Sequence, residues 1–176
     1  MIKVLFICHG NICRSTMAQF LFTHLAENEG YRIADHASGY ADFYVDSAAT
    51  STEEIGNPVD RRTVAKLKEH GVSCGTHFAR RITKKDYDLF DLIIIMDDEN
   101  EWWIRRIIHE DPDDKIHMML EYAHGQEFKN PDGSARNVAD PWYTHDFEKT
   151  YKDLLEGCTG LLEHLAGNTP RRRKPE

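Results

Sequence analysis

The fold of this chain is most clearly indicated by the segment Lys3-Val4-Leu5-Phe6-Ile7-Cys8-His9-Gly10-Asn11-Ile12-Cys13-Arg14-Ser15. Its first part is a short apolar run that is partly β-branched, which predicts a strand buried on both faces. The polar residues after it predict a loop, and the segment 16–29 then carries apolar residues at helical spacing. Strand, tight loop and helix in direct succession indicate the opening of a βαβ unit.

The alternation of apolar runs and helical patterns continues along the rest of the chain. Further strands are predicted at Tyr44-Val45, Leu92-Ile93-Ile94-Ile95-Met96 and Ile116 to Leu120. Further helices are predicted from Pro58 to His70, from Glu99 to Ile108 and from Asp146 to Leu165. This order predicts a three-layer α/β/α fold, in which a doubly wound, four-stranded parallel sheet lies between helices. We expect a single domain over 1–168 and a basic, disordered tail over 169–176.

Length, charge and cysteine content exclude several classes of protein. With 176 residues, the chain can bury one sizeable core. The net charge of −8 argues against nucleic acid as a partner, because general nucleic-acid binding needs a basic face. No apolar run approaches the ~20 residues that cross a bilayer, so we expect no membrane insertion. The four cysteines are too sparse for a disulfide-stabilised secreted domain, and we expect a cytoplasmic protein.

The loop between the first strand and the first helix carries the chemistry. Successive backbone N–H groups in such a loop point inward and bind an anion together with the N-terminus of the helix. Gly10 and Asn11 are residue types that tolerate the left-handed backbone of a tight loop. The N–H groups would also stabilise the thiolate of Cys8 and make it nucleophilic. Arg14 can bind two phosphoryl oxygens with its planar guanidinium, and the Ser15 hydroxyl can reach back to the thiolate.

When the residues of this loop are considered one at a time, other interpretations are also open. A cysteine after an apolar strand is commonly a buried and inert side chain. A metal site at Cys8, His9 and Cys13 lacks a paired Cys-x-x-Cys spacing, so we expect no metal. A nucleotide-binding P-loop would end in Gly-Lys-Ser or Gly-Lys-Thr, which this loop does not. The other loop residues and the strand–loop–helix context favour a phosphate-binding loop with a nucleophilic cysteine.

Motifs along the chain resemble those of the low-molecular-weight protein tyrosine phosphatases, in the order in which that family has them. They are Cys8-His9-Gly10-Asn11-Ile12-Cys13-Arg14-Ser15, Asp46-Ser47-Ala48-Ala49-Thr50, Ile55-Gly56-Asn57-Pro58, His77-Phe78-Ala79-Arg80, Met96-Asp97 and Asp140-Pro141-Trp142-Tyr143. The resemblance extends over almost the whole chain. It implies a four-stranded parallel sheet and the hydrolysis of phosphotyrosine in proteins, without a metal or other cofactor. A tyrosine kinase would then be the functional counterpart.

The resemblance also implies roles for individual residues. Cys8 would be the nucleophile, Arg14 the phosphate clamp, and Asp140 the general acid and then the general base. The phosphate-binding residues would be His9, Gly10, Asn11, Ile12, Cys13, Arg14 and Ser15. Loop support would come from Asn11, Ser47 and His77, with Asp97 as the partner of the histidine. The substrate pocket would be lined by Ile12, Glu53, Trp142 and Tyr143, whose aromatic pair would form a wall for a flat ring.

Three features add detail to this expectation. Glu53 stands where many relatives of the family have an aromatic side chain, and an acidic rim would disfavour acidic phosphopeptides. The segment 30–43 is longer than the family pattern predicts. The spacing of Cys8 and Cys13 predicts a reversible disulfide, in which Cys13 is the redox partner that protects Cys8 from overoxidation.

Two related activities are the alternatives. Protein-arginine phosphatases resemble this family but carry threonine at the position of Ile12, so Ile12 favours phosphotyrosine. Thiol-dependent arsenate reductases resemble the phosphate loop, but they need two further redox cysteines close together near the third strand. This chain has only Cys74 in that region, which argues against arsenate reduction.

Overall fold

A computed structural model describes residues 1–167, and the predicted tail, 169–176, lies outside the described residues. The strands are β1 (Ile2–Cys8), β2 (Ile33–Ala34), β3 (Phe43–Ala49), β4 (Leu92–Ile95) and β5 (Ile116–Met118). The helices are α1 (Arg14–Asn28), α2 (Arg61–Glu69), α3 (Lys84–Leu89), α4 (Asp98–Ile108), α5 (Pro141–Thr144) and α6 (Phe147–Ala166). Within 1–167, no helix has both the length and the apolar character needed to cross a membrane.

The strands of the described residues form one parallel sheet in the order β2-β3-β1-β4-β5. β1 lies in the centre and pairs with β3 on one side and with β4 on the other. The chain therefore changes direction across the sheet at β1, and ligands of open α/β sheets bind at such a switch point. The registers align Cys8 with Ala49 of β3 and Ile7 with Ile95 of β4. The segments that follow these three strands consequently meet at one edge.

The parallel sheet between helices is confirmed, but the predicted number of four strands is wrong. β2 adds a fifth strand at the edge, where Ile33–Ala34 pairs with Phe43 and Tyr44 of β3. Two residues are too few to show the periodicity from which a strand is predicted. The added strand lies in the segment 30–43, which the sequence had marked as unusually long.

The predicted start of the second helix at Pro58 is also wrong. α2 begins at Arg61, because the Asp60 carboxylate caps it by accepting a hydrogen bond from the Arg62 N–H group at 2.8 Å. Pro58 instead forms an isolated antiparallel bridge with Phe78. The segment before α2 is therefore extended, and it runs beside the phosphate loop.

Apolar side chains of β1 alternate between the two faces of the sheet and build a core on each. Val4 and Phe6 belong to the core beneath α1, α2 and α6, whereas Leu5 and Ile7 belong to the core beneath α3 and α4. The Phe6 ring packs on Phe22 of α1, with ring centroids 5.9 Å apart. Each fully buried side chain of this kind contributes about 1.5–3 kcal/mol. The two cores hold the end of β1 rigidly, and the site is built on that end.

Candidate active site

The loop 8–15 curves between β1 and α1, and hydrogen bonds to its carbonyl groups define the curve. The carbonyl oxygens of Cys8 and His9 accept from the backbone N–H groups of Thr50 and Ser51, both at 3.0 Å. Asn11 has a φ of 59°, the left-handed conformation expected from its residue type. These carbonyl groups bond outwards, and the Asn11 N–H group points inwards at Sγ of Cys8, as an anion-binding loop requires.

Gly10 does not adopt the left-handed backbone that its residue type predicted, because the positive φ of the loop falls on Asn11. Its small size matters instead. A Cβ atom at position 10 would come within 3.2 Å of Cγ of Glu54. The glycine therefore allows the segment after β3 to approach the phosphate loop closely.

Cys8 is the last residue of β1 and the first residue of the loop, and it is 3% exposed. Its Sγ atom accepts a hydrogen bond from the Asn11 N–H group at 3.3 Å and lies 3.0 Å from Oγ of Ser15. Hydrogen bonds to the charged form of a group stabilise that form. The surroundings of Cys8 are therefore those that a nucleophilic thiolate needs.

The fully buried side chain of Asn11 ties the loop to two other segments. Its Nδ2 donates to Oγ of Ser15 at 3.0 Å and to Oγ of Ser47 at 2.8 Å. Its Oδ1 accepts from Nε2 of His77 at 2.8 Å and from the Arg80 N–H group at 3.1 Å. Both donors and the carbonyl oxygen of the amide are thus in use. The network fixes the curvature of the loop from behind, away from the pocket.

His77 supports this network as a neutral imidazole. Burial lowers the pKa of His77 below its ordinary value, against the opposing charge of Asp46. The proton then lies on Nε2, where Oδ1 of Asn11 accepts it. Asp97, predicted to be the partner of His77, contacts Arg14 instead. The physical reason is topological: Asp97 follows β4, and β1 separates that strand from the side of the sheet on which His77 lies.

Arg14 closes the loop at the first residue of α1 and is held between two carboxylates. Its Nη1 donates to Oδ2 of Asp97 at 2.5 Å, and its Nη2 lies 2.6 Å from Oδ2 of Asp140. Burial lowers the pKa of Arg14, but the charges of Cys8, Asp97 and Asp140 outweigh burial and raise that pKa above its ordinary value. The guanidinium is therefore a fixed cation beside the sulfur atom.

Asp140 caps α5 by accepting a hydrogen bond from the Trp142 N–H group at 2.9 Å. The segment before Asp140 is held in place by hydrogen bonds to Asp153, which the sequence did not predict. Asp153 of α6 is 3% exposed and accepts from Nη1 and Nη2 of Arg136, at 2.9 and 2.7 Å. It also accepts from the Ala139 N–H group at 3.0 Å. These bonds fasten the segment that leads directly into Asp140. The role of Asp153 could not be predicted from the sequence, because a single acidic residue within a helical pattern does not show whether it is buried or what it contacts.

Replacing Asp153 is expected to loosen Asp140. Asp153→Ala leaves Arg136 partly buried without its carboxylate, which should cost about 3 kcal/mol of unfolding free energy. Because the position of Asp140 is no longer fixed, kcat should fall by about tenfold. Urea unfolding and steady-state kinetics measure the two effects. Glu156→Gln on the same helix is the control and should change neither, and an unaltered kcat in Asp153→Ala would contradict the positioning role.

The loop forms the floor of an open pocket of about 130 Å³. This volume is close to the roughly 150 Å³ cavity that binds benzene in an engineered protein core. The residues that line it are Cys8, His9, Gly10, Ile12, Cys13, Arg14, Glu53, Glu54, Glu99, Asp140, Trp142 and Tyr143. Trp142 and Tyr143 are 55% and 77% exposed, so they stand at the rim and not in the core. Glu54 and Glu99 are lining residues that the sequence did not predict.

Known proteins are similar to this chain in both sequence and structure. It is 36% identical over 163 residues to the low molecular weight phosphotyrosine protein phosphatase of Gallus gallus, covering 92% of this chain and 94% of the relative. It is 35% identical over 165 residues to the low molecular weight protein-tyrosine-phosphatase YfkJ of Bacillus subtilis, covering 94% of this chain and 96% of the relative. The crystal structure of YfkJ matches with a TM-score of 0.80 over 97% of this chain and 98% of that chain.

A Drosophila arginine phosphatase has a similar structure, with a TM-score of 0.76 and 28% identity over 93% of this chain and 98% of that chain. Similarity of fold therefore does not show whether a protein of this fold acts on phosphotyrosine or on phosphoarginine. The family model for low molecular weight phosphotyrosine protein phosphatase matches residues 3–171, which is nearly the whole sequence. On this match and on the curated relatives, the chain belongs to the low molecular weight phosphotyrosine protein phosphatase family.

Proposed function

We propose that this protein hydrolyses phosphotyrosine in proteins through a cysteinyl-phosphate intermediate. The observation that carries the proposal is the convergence of three groups in one pocket: the Cys8 sulfur, the Arg14 guanidinium and the Asp140 carboxylate. A nucleophile, a cation for the phosphoryl oxygens and an acid for the leaving group are what transfer to a thiol requires. The names of the curated relatives support the same reaction.

In the first step, the thiolate of Cys8 attacks phosphorus while the bond from phosphorus to the tyrosine oxygen breaks. The inward N–H groups of the loop, residues 9–15, and the guanidinium of Arg14 stabilise the phosphoryl oxygens. Phosphate takes the place of Asp140 on Arg14, so that Asp140 lies beside the departing oxygen. No longer paired with Arg14, the Asp140 carboxylate takes up a proton from the solvent and gives it to that oxygen, so that tyrosine leaves as the neutral phenol.

In the second step, the Asp140 carboxylate takes a proton from a water molecule, whose oxygen attacks phosphorus. The bond from phosphorus to sulfur breaks, and inorganic phosphate and the Cys8 thiolate are formed. The Ser15 hydroxyl, 3.0 Å from the sulfur, donates to the thiolate as it leaves. The Asn11, Ser47 and His77 network keeps the loop in the same curve through both steps.

Phosphotyrosine fits the pocket better than the alternative substrates. The ring would lie between Ile12 and the aromatic pair, Trp142 and Tyr143, with its phosphate at the floor. Ile12 offers an apolar contact, which suits a phenyl ring and leaves a guanidinium without a polar partner. Within residues 1–167, Cys74 has no second cysteine beside it in the region where an arsenate reductase relay would need one.

We also propose that the protein acts in the cytoplasm on substrates of a tyrosine kinase. The cysteines of residues 1–167 are all free thiols. A reactive thiol persists in a reducing compartment, whereas an oxidising one consumes it. The kinase follows from the chemistry, because an enzyme of that class must supply the phosphotyrosine.

The decisive experiment is rapid mixing of the reduced protein with a phosphotyrosine peptide, without added metal. A fast release of one equivalent of the dephosphorylated peptide, followed by slower steady turnover, is expected if the cysteinyl phosphate forms and then hydrolyses. Phosphoarginine and arsenate are tested as alternative substrates in separate, parallel reactions. Absence of turnover of the phosphotyrosine peptide by fully reduced protein would sink the proposal.

Cys13 is proposed as the redox partner of Cys8. Burial raises the pKa of Cys13 to about 12, and the charge of Asp60 adds to that effect. Its thiol is therefore protonated at neutral pH and joins Cys8 only after peroxide has oxidised Cys8 to the sulfenic acid, with release of water. Mass spectrometry after mild peroxide treatment should show a Cys8–Cys13 disulfide. Sulfonic acid on Cys8 with an intact Cys13 thiol is the contrary result.

A further inference from the structure

We propose that the mouth of the catalytic pocket selects phosphotyrosine that is directly flanked by arginine or lysine, an inference that rests on the proposed function. Three glutamates line one side of the pocket: Glu53 and Glu54 follow β3, and Glu99 belongs to α4. His9 lies between two of them. Its Nε2 is 3.0 Å from Oε2 of Glu53, and its Nδ1 is 4.0 Å from Oε1 of Glu99. Two separate elements thus bring carboxylates to the same edge.

The carboxylates of Glu53 and Glu99 are available to a substrate. Their side chains are 71% and 60% exposed. Glu54 is the more constrained of the three, because its Oε2 accepts a hydrogen bond from Nδ2 of Asn57 at 2.6 Å. A peptide chain that places its phosphotyrosine in the pocket and crosses this edge brings the neighbouring side chains to these two exposed carboxylates.

Among the described residues, Glu53 and Glu99 form ion-pair contacts with His9 and with no arginine or lysine. Arg14 is the only arginine or lysine that lines the described pocket, and Asp97 and Asp140 already hold it. Arg62 lies 5.9 Å from the Trp142 ring on the opposite rim, but its Nη2 is 2.8 Å from a carboxylate oxygen of Asp60. The floor of the pocket therefore attracts phosphate, while its mouth attracts positive charge.

The surface of α4 beyond Glu99 also suits a cationic side chain. Trp103 follows Glu99 by four residues and therefore lies on the same face of the helix. Trp102 and Trp103 are 50% and 36% exposed. The guanidinium of Arg106 stacks on Trp102, 3.1 Å from the ring centroid. Arg106 thus covers Trp102, and Trp103 is the aromatic residue of the pair that remains on the Glu99 face for a cationic side chain of the substrate.

The test compares three phosphotyrosine peptides that differ only in the flanking residues, which are arginine, glutamine or glutamate. Phenyl phosphate, which has no flanking residues, reports the reaction itself. Because exposed ion pairs are individually weak, we expect kcat/KM for the arginine peptide to exceed that for the glutamate peptide by about threefold to tenfold. The ratio should shrink towards one at high salt.

The double variant Glu53→Gln and Glu99→Gln should bring the ratio between the two peptides close to one. A general loss of folding cannot move such a ratio, because it affects both peptides equally. Glu101→Gln is the matched control: Glu101 lies on the same helix and is bonded to Arg105, 2.7 Å away, and its replacement should leave the ratio unchanged.

The possible outcomes separate this inference from the proposed function. Turnover of phenyl phosphate with equal kcat/KM for all three peptides would overturn the selection alone. A preference that persists in the double variant would also overturn it, because the preference would then arise elsewhere on the protein. Absence of turnover of phenyl phosphate would overturn the proposed function and the selection together.

Discussion

Cys8→Ser is expected to abolish turnover of phosphotyrosine, with a fall in kcat of at least about 10⁴-fold. The serine hydroxyl is close to the thiol in size, so the loop and its Asn11 network should keep their shape. A hydroxyl is not ionised at neutral pH, however, and the N–H groups that stabilise a thiolate cannot make it nucleophilic. The variant should therefore bind the phosphotyrosine peptide and fail to cleave it.

Two measurements test this expectation. Equilibrium binding of the phosphotyrosine peptide to Cys8→Ser should be retained, and mass spectrometry should find a phosphoryl adduct on the parent protein but none on the variant. Cys74→Ser is the matched control, because Cys74 lies outside the pocket and is only partly exposed. Residual turnover of Cys8→Ser near the parent rate would show that another group is the nucleophile.

Asp140→Asn is expected to lower kcat for a phosphotyrosine peptide by about 10²–10³-fold. Asparagine keeps an oxygen that can cap α5, as Asp140 does with the Trp142 N–H group. The substitution therefore preserves the position of Trp142 and Tyr143 while it removes the group that transfers a proton. What is lost should be acid and base catalysis and not the shape of the pocket.

The leaving group of the substrate distinguishes these two explanations. An aryl phosphate with a nitro group releases a stable phenolate, which needs no proton to leave. Phosphorylation of Cys8 by that substrate should be slowed much less in Asp140→Asn than phosphorylation by the peptide. Equal losses for both substrates would point to a misshaped pocket. Asp88→Asn, at an exposed position of α3, controls for the loss of one negative charge.

The centre of the fold could be predicted from sequence because its signals are local. The apolar run of β1 and the helical spacing of α1 place the loop 8–15 between a buried strand and a helix. The apolar run of β4 and the pattern of α6 are equally clear. The resemblance to the phosphatase family, which rested on short motifs in order, is confirmed by the family model over residues 3–171.

The remaining features depend on contacts between distant segments, which no local pattern contains. β2 is too short to show a period, and it exists because β3 offers a free edge. The contact of Asp97 with Arg14 follows from the order of the strands and not from either sequence motif. The connection from Asp153 to the segment before Asp140, and the approach of Glu99 to His9, likewise become visible only when the helices are in place.

The contact of Asp140 with Arg14 bears on how the protein behaves in the presence of its own product. In the free protein, a built-in carboxylate occupies the cation that phosphate needs, and a tethered group of this kind acts at an effective concentration on the order of millimolar or above. Inorganic phosphate must displace this tethered carboxylate from Arg14 before it binds in the pocket, and the displacement weakens its binding. In the proposed mechanism, Asp140 returns to Arg14 once it has lost the proton taken from water, and this return favours the release of each phosphate and disfavours the rebinding of phosphate from solution.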